Sequence, residues 1–153
     1  MRQRPQRGST LVEAAITLPV LFMLLMAILE FGRAYNIYQV ITDAAREGAR
    51  ISVAPFPGTS TLPTTTQVAT VVCDFLKSAN LPCSTATNLS SPPCTNGKVT
   101  KVTVCVDQNL ANTVNSAPLV YTDINVRAPY KFLFFPFGTI TIGTQAVMRN
   151  ETN

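Results

Sequence analysis

RGSTLVEAAITLPVLFMLLMAILEFGRAYNIYQVITDAAREGAR, Arg7 to Arg50, decides the fold of this chain, because it joins a basic leader, an apolar span and an amphipathic extension in one run. No residue from Ala14 to Leu29 is charged. Leu11 and Val12 lengthen the run to about 18 apolar or small positions, interrupted once by Glu13 and close to the roughly 20 that a helix needs to cross a bilayer. Pro19 removes one backbone donor, which membrane helices tolerate, so the helix is expected to continue with a bend. A secretory signal would carry a small-residue cleavage site after its apolar core. Here Leu29, Glu30, Phe31, Gly32 and Arg33 follow instead, and the span is expected to stay attached.

Beyond Glu30 the pattern becomes amphipathic. Ile37, Ile41, Ala44, Ala45, Gly48, Ala49 and Ser52 recur at helical spacing, with Asp43, Arg46, Glu47 and Arg50 on the other side. The stripe is mostly small, which lets another element approach closely. Glu30 with Arg33, Asp43 with Arg46 and Glu47 with Arg50 are spaced to pair at i,i+3, either within the helix or as subunit contacts. Pro55, Pro57 and Gly58 stop the helix. The segment therefore reads as a leader over residues 1–8 and one helix over 9–54, with a membrane span at about 11–30. Continuous from Ser9 to Val53, it would be about 65–70 Å long at 1.5 Å per residue.

The 153 residues carry a net charge of +4, which on its face suggests an acidic partner. Arg2, Arg4 and Arg7 precede the span, and without those 3 the balance is 4 − 3 = +1. The basicity belongs mainly to the leader, where it fits the rule that cations stay on the cytoplasmic side of a membrane; nucleic-acid binding loses its support. Cys73, Cys83, Cys94 and Cys105 all follow the span in a Thr-, Asn-, Pro- and Ser-rich region. They lie about ten residues apart in a chain without histidine, which favours disulfides in an oxidising compartment over a structural metal. Three connectivities are open.

Residues 55–66 form a Thr/Ser/Pro linker, and 67–153 a head domain. Thr65 or Thr66 is placed to cap a helix from Gln67 to about Ala79, whose Val68, Val71, Val72, Phe75, Leu76 and Ala79 make an apolar face; Asn80 and Pro82 end it. Leu81 to Gly97 reads as a loop with an Asn96-Gly97 turn. From Val99 the period changes to two. Val102, Val104 and Val106 share one face opposite Lys101, Thr103 and Cys105, as do Val120, Thr122, Ile124, Val126, Ala128, Tyr130 and Phe132 opposite Tyr121, Asp123, Asn125, Arg127 and Lys131. Ile140, Ile142, Thr144, Ala146 and Met148 repeat the pattern. The expected fold is α+β: a long stalk helix, and a head of one short helix on an antiparallel sheet of about three to four strands. The short helix and the upper half of the stalk cover the apolar face. Phe132, Leu133, Phe134, Phe135, Pro136 and Phe137 read either as an edge of the core or as an exposed docking patch.

Gly8, then Ser9, Thr10, Leu11, Val12 and Glu13 before an apolar helix, has the form that prepilin peptidases cut: a short basic leader ending in glycine, with glutamate fifth in the mature chain. Glycine offers an unhindered backbone. Cutting Gly8–Ser9 creates an α-amino group, ordinarily of pKa about 7.7–8.0 and hence largely cationic, which Glu13 can meet in its own or a neighbouring subunit; the other reading is that Glu13 sits at headgroup depth and snorkels to water. GSTLVEAAITLPVLFMLLMAILEFGR with NIYQVITDAAREGAR, about residues 8–50, closely resembles the TadE-like minor pilins of tight-adherence (Flp-type) pili, in the glutamate, the Leu-Pro, the EFGR element and the AREGAR element.

The resemblance implies cleavage at Gly8–Ser9 by prepilin peptidase, insertion in the inner membrane with the N-terminus cytoplasmic and the head periplasmic, and assembly with other pilin subunits and the pilus machinery, leading to surface adherence. It also implies a register role for Glu13 and packing roles for Pro19, Glu30, Arg33, Arg46, Glu47, Gly48 and Arg50. No nucleophile–base pair or metal cluster is visible in the head, so neither an enzyme nor a cofactor is expected. The rivals are an adhesin-like binding domain held on a membrane anchor and a pseudopilin of a secretion system.

Overall fold

A computed structural model of the chain describes residues 7–55, 61–84, 89–90, 94, 97–114, 117–134 and 138–150. The expectations for 1–6, for Pro57–Gly58, for Asn96 in the turn and for Phe135, Pro136 and Phe137 fall outside these residues.

Helix α1 runs from Arg7 to Ser52, 46 residues, through Pro19 without a break. At 1.5 Å per residue it is roughly 69 Å long. It begins two residues before the expected Ser9, so Arg7 and Gly8 of the leader are already helical, and it ends at Ser52 rather than 54. Its N-terminal part, Gly8 to Leu25, is exposed throughout. The most apolar 18-residue window has a mean hydropathy of 2.4 and is 0% buried, so α1 is long and apolar enough to cross a membrane.

Helix α2 spans Thr65–Ser78. Its cap is Thr64, one residue before the expected positions. The Thr64 hydroxyl accepts from the Gln67 N–H at 3.3 Å and the Gln67 side chain accepts from the Thr64 N–H at 2.8 Å, a reciprocal box that Gln67 alone can complete. The helix ends as the sequence predicts. Asn80 takes the left-handed conformation at φ 61, and the N–H groups of Leu81 and Asn80 donate back to the carbonyls of Leu76 and Lys77 at 3.0 Å each.

The strands are β1 (Leu89–Ser90), β2 (Thr103–Val114), β3 (Ala117–Lys131) and β4 (Thr139–Arg149), in that spatial order. β2, β3 and β4 form an antiparallel meander, and the two-residue β1 pairs parallel to β2. β2 starts at Thr103, not Val99. One extra residue on β2 between Asp107 and Leu110 makes a bulge, and there the Gln108 side chain donates to the Pro63 carbonyl at 2.8 Å, tying the linker to the sheet.

The upper half of α1 and α2 cover one face of the sheet, but Phe75, expected on the apolar face of α2, is 38% exposed, and Ala69 and Cys73 are buried in its stead. Ile41, Ala44, Ala45 and Ala49 from α1 and Val68, Val72 and Leu76 from α2 are 0% exposed against Val104, Ile124, Val126 and Ala128. The opposite face departs from expectation. Asp123, Asn125 and Arg127 alternate with the apolar row, yet are buried at 5%, 3% and 7% exposure. Cys105, opposite Asn125 in the ladder, is bonded to Cys94, which carries the segment around Gly97 over this face. The Arg127 guanidinium donates to the Gly97 carbonyl at 3.4 Å, and its stem lies over Gly143, where a Cβ would come within 3.0 Å of Arg127 Cγ. Gln145 donates to Asp123 at 2.9 Å.

Candidate functional site

α1 displays the candidate residues at three levels. At its N-terminus Gly8 and Ser9 occupy the first turn, both exposed, and nothing lies within 4 Å of where a Gly8 Cβ would stand. The first-turn N–H groups of a helix have no intrahelical partner, so this peptide is the part of α1 that unwinds most easily. Glu13 and Pro19 are exposed among exposed apolar neighbours, and among the described residues Glu13 makes no ion pair. Thr17 donates to the Glu13 carbonyl at 3.0 Å and so holds the backbone just before Pro19.

At the end of the apolar run Glu30 behaves differently. It is only 3% exposed. Its Oε1 accepts from the Tyr130 hydroxyl at 2.6 Å, from the Leu133 N–H at 3.0 Å and from the Arg33 guanidinium at 3.4 Å. The same hydroxyl lies 3.1 Å from the Glu30 carbonyl, and Arg33 stands 5.7 Å over the Tyr130 ring. Phe132 packs edge-on to that ring at 5.3 Å. Three donors, one of them a cation, converge on one oxygen, so the acid is held inward by the end of β3, one hundred residues away in the chain. The expected Glu30–Arg33 pair is present, but it is one part of a collar that fixes the head to the top of the span.

Sequence reasoning missed Tyr130 and Leu133 as partners. The available signal was a tyrosine ending an otherwise aliphatic and Thr row on β3, since a buried phenol needs an acceptor.

Higher on α1, Arg46 lies 3.9 Å from Asp43 and Arg50 forms a two-pronged pair with Glu47 at 2.6 and 2.9 Å. The Arg50 hydrogen bonds and charge hold the Glu47 carboxyl below its usual range. Arg46 and Arg50 have side chains 71% and 67% exposed, so both pairs sit on a solvated face. Gly48 lies on the opposite, buried side. A Cβ there would collide with Val72 Cγ2 and come within 3.0 Å of Ile124 Cδ1, so glycine is what lets α1 meet α2 and β3 together. The cysteines pair as Cys73–Cys83 and Cys94–Cys105. The first ties the second half of α2 to the loop after it, the second ties Cys94 to β2.

The aromatic cluster divides. Phe132 is half-buried against Tyr130, whereas Leu133 and Phe134 are 67% and 46% exposed. The described part of this loop therefore does not close the core. Beside it, Ala27, Phe31, Ala34, Tyr35, Ile140 and Ile142 line an apolar groove between α1 and β4.

Comparison with curated proteins and with solved structures returns no match. Residues 8–50 match the family model described as TadE-like protein, the family that the GSTLVE, EFGR and AREGAR elements resemble, so the chain carries a TadE-like segment from Gly8 to Arg50.

Proposed function

We propose that this chain is a minor pilin or pseudopilin of a tight-adherence (Flp-type) pilus, cut by prepilin peptidase between Gly8 and Ser9 and held by α1 in the inner membrane, with its head on the periplasmic side until it joins a filament. The observation that carries this reading is the lone Glu13 on a bare apolar helix, four residues after Ser9 and therefore on the same helical face. The family match over residues 8–50 supports it. The new Ser9 amine supplies the cation that the fold does not, in the same chain or in its neighbour. Pairing offsets the cost of an acid in an apolar setting, and because the amine exists only after cutting, processing precedes register.

The test is N-terminal sequencing of membrane-extracted protein, together with the Glu13→Ala variant in pilus-forming cells. Wild type is expected to begin at Ser9, and the variant to be cut yet fail to enter filaments. A wild-type chain beginning at Met1 in cells that hold the peptidase sinks the reading; a variant that assembles normally sinks the register role.

A membrane-anchored adhesin-like domain is the second reading, favoured by the open polar cleft that Arg127, Asn125 and Gln145 line on the far face of the sheet. It predicts no dependence of surface display on Glu13.

A further inference from the structure

The apolar run Leu11–Leu29 is roughly 28 Å long as a helix, close to the hydrocarbon thickness of about 30 Å, so the boundary between hydrocarbon and headgroups falls at Leu29 and Glu30. Glu30 is also where the head is pinned. The Leu133 N–H donates to its Oε1 at 3.0 Å, which places the backbone of Leu133 at the depth of that boundary. The adjoining side chains are bare: Leu133 and Phe134 are 67% and 46% exposed, and Phe31 on α1 is 73% exposed. Tyr35 is 52% exposed and sits about 7.5 Å beyond Glu30 along α1, within the headgroup layer of about 5–7 Å and its edge. Arg33, half-exposed, and Lys131, exposed, flank the patch with positive charge suited to lipid phosphates.

We infer that the turn after β3, through Leu133 and Phe134, is a second membrane contact: it inserts into the periplasmic headgroup layer beside α1 and seats the head directly on the lipid surface. The occupant of this patch is lipid because the Leu133–Glu30 hydrogen bond sets the patch at the height where the apolar surface of α1 ends, beside the exposed Phe31. An aromatic and aliphatic loop with flanking cations is the composition that partitions into this layer. The inference rests on α1 crossing the bilayer, and not on cleavage or entry into a filament.

The chain has no tryptophan, so one introduced residue reports its own surroundings. Phe134→Trp, Leu133→Trp, Leu21→Trp in the span and Phe75→Trp on α2 are to be made in the full chain and reconstituted into phosphatidylcholine vesicles containing phosphatidylglycerol. Phe75 is 38% exposed, and α2 packs by Val72 on Gly48, roughly 27 Å farther along α1 than Glu30 at about 1.5 Å per residue. Lipids brominated high on the acyl chain are expected to remove most of the emission of F134W and L133W, as lipids brominated deeper do for L21W, and to spare F75W. If F134W and L133W instead respond to aqueous iodide as F75W does while L21W is quenched by lipid, the span stands and the inference is overturned. Emission shielded from iodide but indifferent to brominated lipid means that a second copy covers the patch, which also overturns it. If L21W escapes quenching too, the inference falls together with the membrane reading of α1.

Discussion

Replacing Gly48 by alanine sets two effects of known size against each other. In a helix interior alanine is favoured over glycine by about 1 kcal/mol. Against this, the added Cβ would collide with Val72 Cγ2 and lie 3.0 Å from Ile124 Cδ1. Val72 on α2 is β-branched and has one strongly preferred rotamer there, and both it and Ile124 on β3 are 0% exposed, so neither neighbour has room to turn aside. α1 must move away from α2 and β3, at the overpacking cost of about 1–3 kcal/mol. The net is a loss of about 1 kcal/mol, or a fall in Tm of about 4 °C for a domain of this size. Gly32 provides the contrast, since nothing lies within 4 Å of its Cβ position. Thermal melts of the full chain in detergent, disulfides intact and followed by circular dichroism, should show G48A below wild type and G32A at or above it. G48A melting at or above wild type would refute the claim that close approach at this position holds α1 on the head.

Burial pushes the Asp123 carboxyl above its ordinary 3.8, opposed by the Gln145 hydrogen bond and reinforced by Asp107. Because the fold then holds the proton more tightly than the unfolded chain, this contribution to stability is full below the unfolded pKa and is lost as pH rises through the folded one. Asp123→Asn keeps an oxygen for Gln145, so its Tm should fall less than that of wild type between pH 4 and neutrality; identical slopes would count against a buried carboxyl. Burial, then the Glu30 hydrogen bond, raises the Tyr130 phenol above 10.0, and Tyr130→Phe should remove a phenolate absorbance component that appears above that pH in wild type. Unchanged high-pH titration in the variant would contradict the collar. Cys73–Cys83 closes a short loop of sequence separation 10, and removing it as C73A/C83A should cost about 3 kcal/mol by loop entropy, read as a lower denaturation midpoint.

Much of this architecture follows from periodicity. The small-residue stripe from Ile37 to Ser52 is the face that α1 buries, and the inward row of β3 is the one that alternation selects; on β4 the selected row is only half-buried and Ile140, at the edge, is 42% exposed. Alternation misled for Asp123, Asn125 and Arg127, because a period of two identifies which residues share a face and not whether that face is covered. The cover here is a segment held by Cys94–Cys105, and cysteines at near-equal spacing do not reveal their pairing. Thr64 is hard to single out as cap because Thr65 and Thr66 compete in the same run, and only Gln67 three residues on discriminates among them. Glu30 and Arg33 could be matched locally. Tyr130 could not, since the contact spans one hundred residues and depends on the length of α1 between the span and the sheet.

The two acids of α1 mark two different problems, and the fold solves only one. Glu30 lies where the apolar run ends, and the head brings its Oε1 a phenol and a backbone N–H beside the Arg33 guanidinium of α1, while Oε2 is buried without a hydrogen-bond partner among the described residues. A donor set of that kind fixes a domain at one height and one rotation on its stalk, since it requires the end of β3 to stand beside a single turn of α1. Glu13 lies seventeen residues earlier among exposed apolar side chains, and among the described residues no cation reaches it. Carboxylates in such surroundings are costly unless paired or hydrated, and the described fold offers Glu13 no ion pair. On the proposed reading its partner comes from the peptide bond four residues before it, once that bond is cut. Folding of the head and register of the helix are then separable. Damage at Glu30 is felt in the isolated subunit, whereas damage at Glu13 is felt only when a processed helix meets its neighbours.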